Sequence, residues 1–159
     1  MLPLVRRAKL SDTAAIAAVH REAFPRQRES ETWVTATLAA TPRMFVFVAE
    51  YESSLVGYIF WAQKSGIRAS AVIELDQIAV LSKCRNMGFA GHLIKESLAL
   101  VKSELSANCQ TVKSVLVSTR ADNEAQRLYA TVLGAKIVAT IEDLYSAAEV
   151  LMVAECPDA

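Results

Sequence analysis

Between Met44 and Lys64 the chain reads MFVFVAEYESSLVGYIFWAQK. Aromatic and β-branched residues dominate this stretch, and such side chains fit a pleated, half-buried surface better than a helix. Glu52–Ser54 interrupt it with polar residues. The stretch therefore predicts two strands joined at that point. A strand pair this apolar needs more strands beside it and helices to cover it, so the rest of the chain has to supply them.

It does, in a definite order. LVRRAKL (4–10) is a short strand candidate, and Ser11 and Asp12 offer N-caps for a helix over 13–24, where Ala15, Ile16, Val19 and Phe24 recur at helical spacing. Pro25 stops that helix, PRQRESE (25–31) is a charged loop, and TWVTATLAA (32–40) is a second short helix. AVIELDQIAVL (71–81) is a further strand, polar at its middle. After the loop SKCRNMG, Phe89, Leu93, Ile94, Leu98, Val101 and Leu105 form a helical stripe to about Ser106. KSVLVSTR (113–120) is a strand, and Asp122 or Asn123 caps a helix through Leu133, with Gly134 at a C-terminal glycine position. KIVATIEDLY (136–145) and EVLMVAE (149–155) close the chain as a strand pair. The order β, α, α, β, β, β, α, β, α, β, β predicts an α/β fold with one mixed sheet and helices on its faces.

The 159 residues suit one domain, residues 1–159. Seventeen Lys and Arg balance seventeen Asp and Glu. A neutral chain argues against nucleic acid or an anionic membrane as partner, since both are met with summed positive charge. Cys84, Cys109 and Cys156 stand far apart and fit reduced thiols. No zinc spacing appears, so no metal is expected. The N-terminus lacks the apolar core of a signal peptide, and no run approaches the ~20 apolar residues that span a bilayer. The expectation is a cytoplasmic domain. His20 and His92 read as helix-surface residues, and Trp61 and Trp33 as core or half-buried.

The motif that carries chemistry is CRNMGFAGHL (84–93), where two of the chain's five glycines fall at the entry to a helix. Unpaired N–H groups at a helix N-terminus bind anions, phosphates above all, a glycine lets the phosphate approach the backbone, and Arg85 adds a charge-assisted contact. It is neither a Walker loop, which ends Gly-Lys-Ser/Thr, nor the dinucleotide fingerprint.

Together with the element order, IAVLSKCRNMGFAGHLI, TRADNEAQRLYATVLGAKIV and LVRRAKLSDTAAIAAVHREAF resemble the GNAT superfamily of N-acetyltransferases over nearly the whole chain. In that family the first stretch has the pattern Gln/Arg-x-x-Gly-x-Gly/Ala. The resemblance implies a single-domain acyl-CoA N-acyltransferase fold, with a central, mostly antiparallel mixed sheet flanked by helices. It implies transfer of an acetyl group from acetyl-CoA to an amine of a small molecule or a protein. The pantetheine arm would lie along Ile78, Ala79 and Val80, and the pyrophosphate on the amides of Arg85, Asn86, Met87, Gly88, Phe89, Ala90 and Gly91. A backbone N–H near Val80 would steady the developing oxyanion. Asn123 would contact the arm as well as cap its helix, and Tyr129 would protonate or orient the departing thiolate.

An amine with a pKa near ~10.4 must first lose a proton, and a carboxylate is a suitable acceptor. Glu74 and Asp76 lie on one face of their strand by alternation, with Ile78 and Val80. Glu74 stands eleven residues before Arg85, the spacing that the family's histone-type members use for their base; Asp76 is the second candidate. In the family the loop 25–31 and the final hairpin flank the acceptor site, so Glu142, Asp143 and Tyr145 are candidates to meet it. Ser118 stands where members acting on ribosomal proteins often carry a glutamate. Sequence alone keeps open a non-catalytic acyl-CoA-binding module, a transferase of longer acyl groups, and homodimerisation through the last strands or helices.

Overall fold

The structure is a computed structural model that describes residues 1–156. Its elements are β1 (Leu4–Arg7), α1 (Thr13–Ala23), α2 (Ser30–Ala39), β2 (Met44–Tyr51), β3 (Ser54–Lys64), β4 (Ser70–Val80), α3 (Phe89–Ala107), β5 (Thr111–Arg120), α4 (Ala125–Leu133), β6 (Lys136–Ile141) and β7 (Glu149–Glu155). Among the described residues the seven strands form one sheet in the order β1-β2-β3-β4-β5-β7-β6. β4 and β5 pair in parallel, and α3 is the crossover that a parallel pair requires. β1–β2, β5–β7 and β6–β7 are antiparallel. The mixed α/β fold expected from the order of periodicities is the fold observed.

Contacts divide the chain into two compact units, Met1–Trp61 with Gln77–Val101, and Ala62–Asp76 with Lys102–Ala159. In the first, Ile16, Ala17 and Val19 of α1, Val34 of α2, Val46 and Val48 of β2, Tyr58 and Phe60 of β3 and Ala79 of β4 form one buried cluster. Full burial of each large member stabilises by about 1.5–3 kcal/mol, and this is what fixes α1 and α2 on the sheet. Val46 and Val48 enter the cluster, and the alternate residues Phe45 and Phe47 lie beneath the Arg7 guanidinium, 5.3 and 5.2 Å from their ring centres. Arg6 binds Asp12 at 2.8 Å and Glu50 at 2.7 Å. In the second unit β5 runs antiparallel to β7 from Ser114↔Glu155 to Arg120↔Glu149. α4 ends where Gly134 takes φ 70°, a left-handed conformation that glycine adopts without a Cβ penalty.

Several details differ from expectation. β1 stops at Arg7 because Asp12 is drawn back: its carboxylate takes Arg6 and accepts the Lys9 N–H at 2.7 Å, which curls Leu10–Asp12 into a 3-10 turn. Asp12 therefore makes no side-chain cap to α1. β6 ends at Ile141, where Glu142 starts an exposed turn in which Asp143 is left-handed with φ 50°. His20 is not on the surface; it is fully buried. No helix among the described residues is long and apolar enough to cross a membrane.

Candidate active site

The phosphate-loop candidate lies in the first unit. β4 ends at Val80, and Ser82–Cys84 form a 3-10 turn. Three bonds hold that turn: Leu81 N–H to the Val56 carbonyl at 2.8 Å, Cys84 N–H to Leu81 at 2.9 Å and Arg85 N–H to Ser82 at 3.2 Å. Glu22 of α1 accepts the Ser82 N–H at 2.7 Å. That hydrogen bond, with Arg85 and Lys83 nearby, holds the Glu22 carboxyl below its ordinary range.

Beyond the turn the backbone alternates. Asn86 has φ 61° and Gly88 has φ 77°; asparagine tolerates that region and glycine favours it. Left-handed residues in alternation turn successive N–H groups toward a common side, the geometry of an anion-binding nest. The first helical bond of α3 runs from His92 N–H to Gly88 at 3.1 Å, so the Phe89, Ala90 and Gly91 amides precede the first intrahelical donor. A Cβ built on Gly88 meets nothing within 4 Å. Phe89 is buried with its ring 4.9 Å from that of Tyr51, which pins the start of α3. Met87 is exposed. Arg85 is exposed, and its Nε donates to the Val80 carbonyl at 3.3 Å. These donors, this room and these charges fit a phosphate.

Of the strand expected to receive the pantetheine arm, Ala79 and Val80 are buried and Ile78 is half-buried. Gly57 of β3 makes this part of β4 accessible to close packing, since a Cβ there would stand 2.9 Å from the Ala79 carbonyl oxygen and 3.2 Å from a Val80 methyl.

The candidate catalytic side chains lie in the second unit. Glu74 is half-buried, and its Oε2 is 2.8 Å from Lys64 Nζ. Asp76 is exposed. Tyr129 is buried, and burial raises its pKa. The phenol is therefore protonated through the neutral range and beyond its usual value near ~10. The N-cap of α4 is Glu124, and Asn123 braces the helix start from one residue before it: its Oδ1 accepts the Ala125 N–H at 2.9 Å and its Nδ2 donates to Thr119 Oγ1 at 2.9 Å. Asp122, the other cap candidate, is held by Arg120 at 2.9 Å. Glu142, Asp143 and Tyr145 lie exposed in the turn after β6. Trp61 is fully buried as expected and donates to Ser97 at 2.8 Å, Trp33 is exposed on α2 rather than core or half-buried, and Cys84 is buried.

Two groups escaped the sequence reading. One is a polar chain in the first unit. Ser30 Oγ lies 2.9 Å from His20 Nδ1, and His20 Nε2 lies 2.9 Å from Gln27 Oε1. Gln27 Oε1 also accepts from Gln77 Nε2 at 3.3 Å, and Tyr58 donates its hydroxyl to Gln77 Oε1 at 2.9 Å. With the Gln27 oxygen toward it, a neutral His20 ring would carry its proton on Nε2 and accept from Ser30 on Nδ1. The chain ties the segment between α1 and α2 to β4. An open hollow of about 540 Å³ lies at this segment, lined by Arg21, Gln27, Arg28, Glu29, Ser30 and Glu31, with Thr32. The sequence held a signal, because His20 sits four residues after Ile16 on the apolar stripe of α1. The other group is Lys64, for which the sequence held none, since the pairing depends on strand register.

A model of the acetyltransferase (GNAT) family matches residues 13–135. No curated protein sequence matches the chain. Among solved structures, Ard1 from Thermoplasma volcanium superposes with a TM-score of 0.79 at 22% identity, over 99% of this chain and 100% of that one. The ribosomal-protein-S18-alanine N-acetyltransferase from Escherichia coli gives 0.77 at 16%, over 99% and 96%. An aminoglycoside 6'-N-acetyltransferase complexed with coenzyme A gives 0.74 at 13%, over 98% and 99%. At these identities the likeness is one of fold. The chain belongs to the acetyltransferase (GNAT) family.

Proposed function

We propose that residues 1–159 form a single acetyl-CoA-dependent N-acetyltransferase domain acting on a primary amine of a small molecule or a protein. The observation that carries this reading is the loop of alternating left-handed residues, Asn86 and Gly88, opening α3 with amides outside its hydrogen-bond ladder. Neighbours of the same fold act, by their names, on a ribosomal protein's alanine and on an aminoglycoside, which supports both acceptor classes.

Acetyl-CoA supplies an activated thioester and a thiolate leaving group. Arg85, Asn86, Met87, Gly88, Phe89, Ala90 and Gly91 receive its pyrophosphate through their backbone and the Arg85 charge, and Ile78, Ala79 and Val80 receive the arm. Glu74, with Asp76 as the second candidate, takes the proton that an ammonium must lose. Tyr129 holds its own proton at neutral pH and offers it to the departing thiolate, an anion that a buried site disfavours. Asn123 fixes the start of the helix that carries Tyr129. No metal and no nucleic acid enter this reading, and the expected location is the cytoplasm.

Titration calorimetry with acetyl-CoA and with CoA tests it on the wild type and Gly88→Trp. A bulky side chain at φ 77° strains the loop and fills the phosphate's place. Losing one or two charge-assisted hydrogen bonds of about 1.5–3 kcal/mol each weakens binding by roughly 100-fold. Equal affinity in the variant would remove the loop from the site. No wild-type binding would remove the proposal. Binding without any amine-dependent CoA release would leave a non-catalytic acyl-CoA-binding module.

A further inference from the structure

The partner of Glu74 is itself a primary amine. Lys64 Nζ stands 2.8 Å from Glu74 Oε2, the lysine side chain is 38% exposed and the glutamate 17%. Both belong to the same compact unit. An exposed lysine–carboxylate pair contributes little to stability, yet here the carboxylate is the leading candidate for the base. A lysine ammonium on a base is the arrangement that amine acetylation starts from. Resting on the function proposed above, we infer that Lys64 is a self-acetylation site: the chain's own side chain serves as acceptor.

The balance is that of any amine acetylation. The Lys64 ammonium gives one proton to Glu74, and the neutral nitrogen forms a bond to the acetyl carbon as the carbon–sulfur bond breaks. The electron pair of that bond leaves on the sulfur, which takes a proton by way of Tyr129. The nitrogen loses its second proton on becoming an amide. One acetyl-lysine and one CoA thiol result, with one net proton released to solvent. Acetylation removes the lysine's charge, which ends the ion pair and returns Glu74 to an unpaired state.

The experiment incubates the purified chain with acetyl-CoA and no added amine, then follows intact mass and maps the modified peptide. The expected result is one acetyl group on Lys64, at least tenfold faster than on Lys95, Lys102 or Lys113 and faster than on Lys64 in heat-denatured protein. Lys64→Arg keeps the charge and should lose this modification while binding acetyl-CoA unchanged by calorimetry. Glu74→Gln should slow it at least tenfold with unchanged coenzyme affinity, and Tyr129→Phe should slow it at least tenfold. Acetylation spread over surface lysines at the denatured protein's rate would overturn the inference. So would retention of the full rate in Glu74→Gln. Calorimetry separates the two failures: coenzyme that binds without modifying Lys64 sinks only this inference, whereas coenzyme that does not bind sinks the function on which it rests.

Discussion

Two polar regions of the first unit are built from opposite materials. The loop 85–91 is backbone: its donors are amides, aimed by the φ values of Asn86 and Gly88, and the side chains between them point elsewhere, Met87 outward and Phe89 into the core. The chain from Ser30 through His20, Gln27 and Gln77 to Tyr58 is side chain throughout. A backbone site tolerates exchange of an exposed side chain such as Met87. A side-chain network depends on each member, because a deleted group leaves a buried partner unsatisfied.

The largest effect that tests this contrast comes from paired truncations. His20→Ala leaves the Ser30 hydroxyl without its partner and opens a cavity, and we expect a cost of about 2–4 kcal/mol in urea unfolding. Met87→Ala should stay within about 0.5 kcal/mol and keep its coenzyme affinity. Equal costs would break the contrast. Gly57→Ala sharpens it from the other side. There the added methyl meets a carbonyl oxygen at 2.9 Å, and backbone cannot step aside as a side-chain end can. A loss of about 1–3 kcal/mol is expected, whereas a neutral outcome would show that β3 and β4 yield more than the packing implies.

The smallest effect concerns acid. Asp12 and Glu50 have pKa values lowered first of all by their hydrogen bonds to Arg6. Unfolded, these groups titrate near ~3.9 and ~4.3, so the stability they add is fully present above that range and is lost as pH falls through the lower folded values. The pair is partly exposed, and its share is about 1 kcal/mol or less. Asp12→Asn should therefore flatten the decline in unfolding free energy below about pH 4. An unchanged slope would assign the acid response to other carboxylates.

The same contrast explains what the sequence disclosed. The elements follow from local periodicity, and the strand–loop–helix of 71–106 could be read because glycine at a helix entry is a backbone signal written in one letter. Fold order and the place of the loop's glycine were thus legible, while its left-handed φ came from the structure. Lys64 was not, since its meeting with Glu74 depends on which residues of β3 and β4 lie abreast. His20 reads as a surface residue by its polarity, but its position falls on the stripe of Ile16 and Val19, and burial is tolerated because both ring nitrogens have partners. The 3-10 turn at Leu10–Asp12 was hidden by Arg6, which competes for the carboxylate that would otherwise cap α1.

The His20 chain has a further property, one of direction. Tyr58 donates to Gln77, Gln77 to Gln27, His20 to Gln27 and Ser30 to His20. Both amides can rotate end for end, but neither can do so alone. If Gln27 turned its nitrogen to His20, the imidazole would have to move its proton to Nδ1 and donate to Ser30, Gln77 would have to turn its oxygen to Gln27, and Tyr58 would have to become the acceptor. The segment after α1 and the middle of β4 thus share a single binary setting. The tautomer of one buried imidazole, read from its nitrogen chemical shifts, reports that setting for all five side chains.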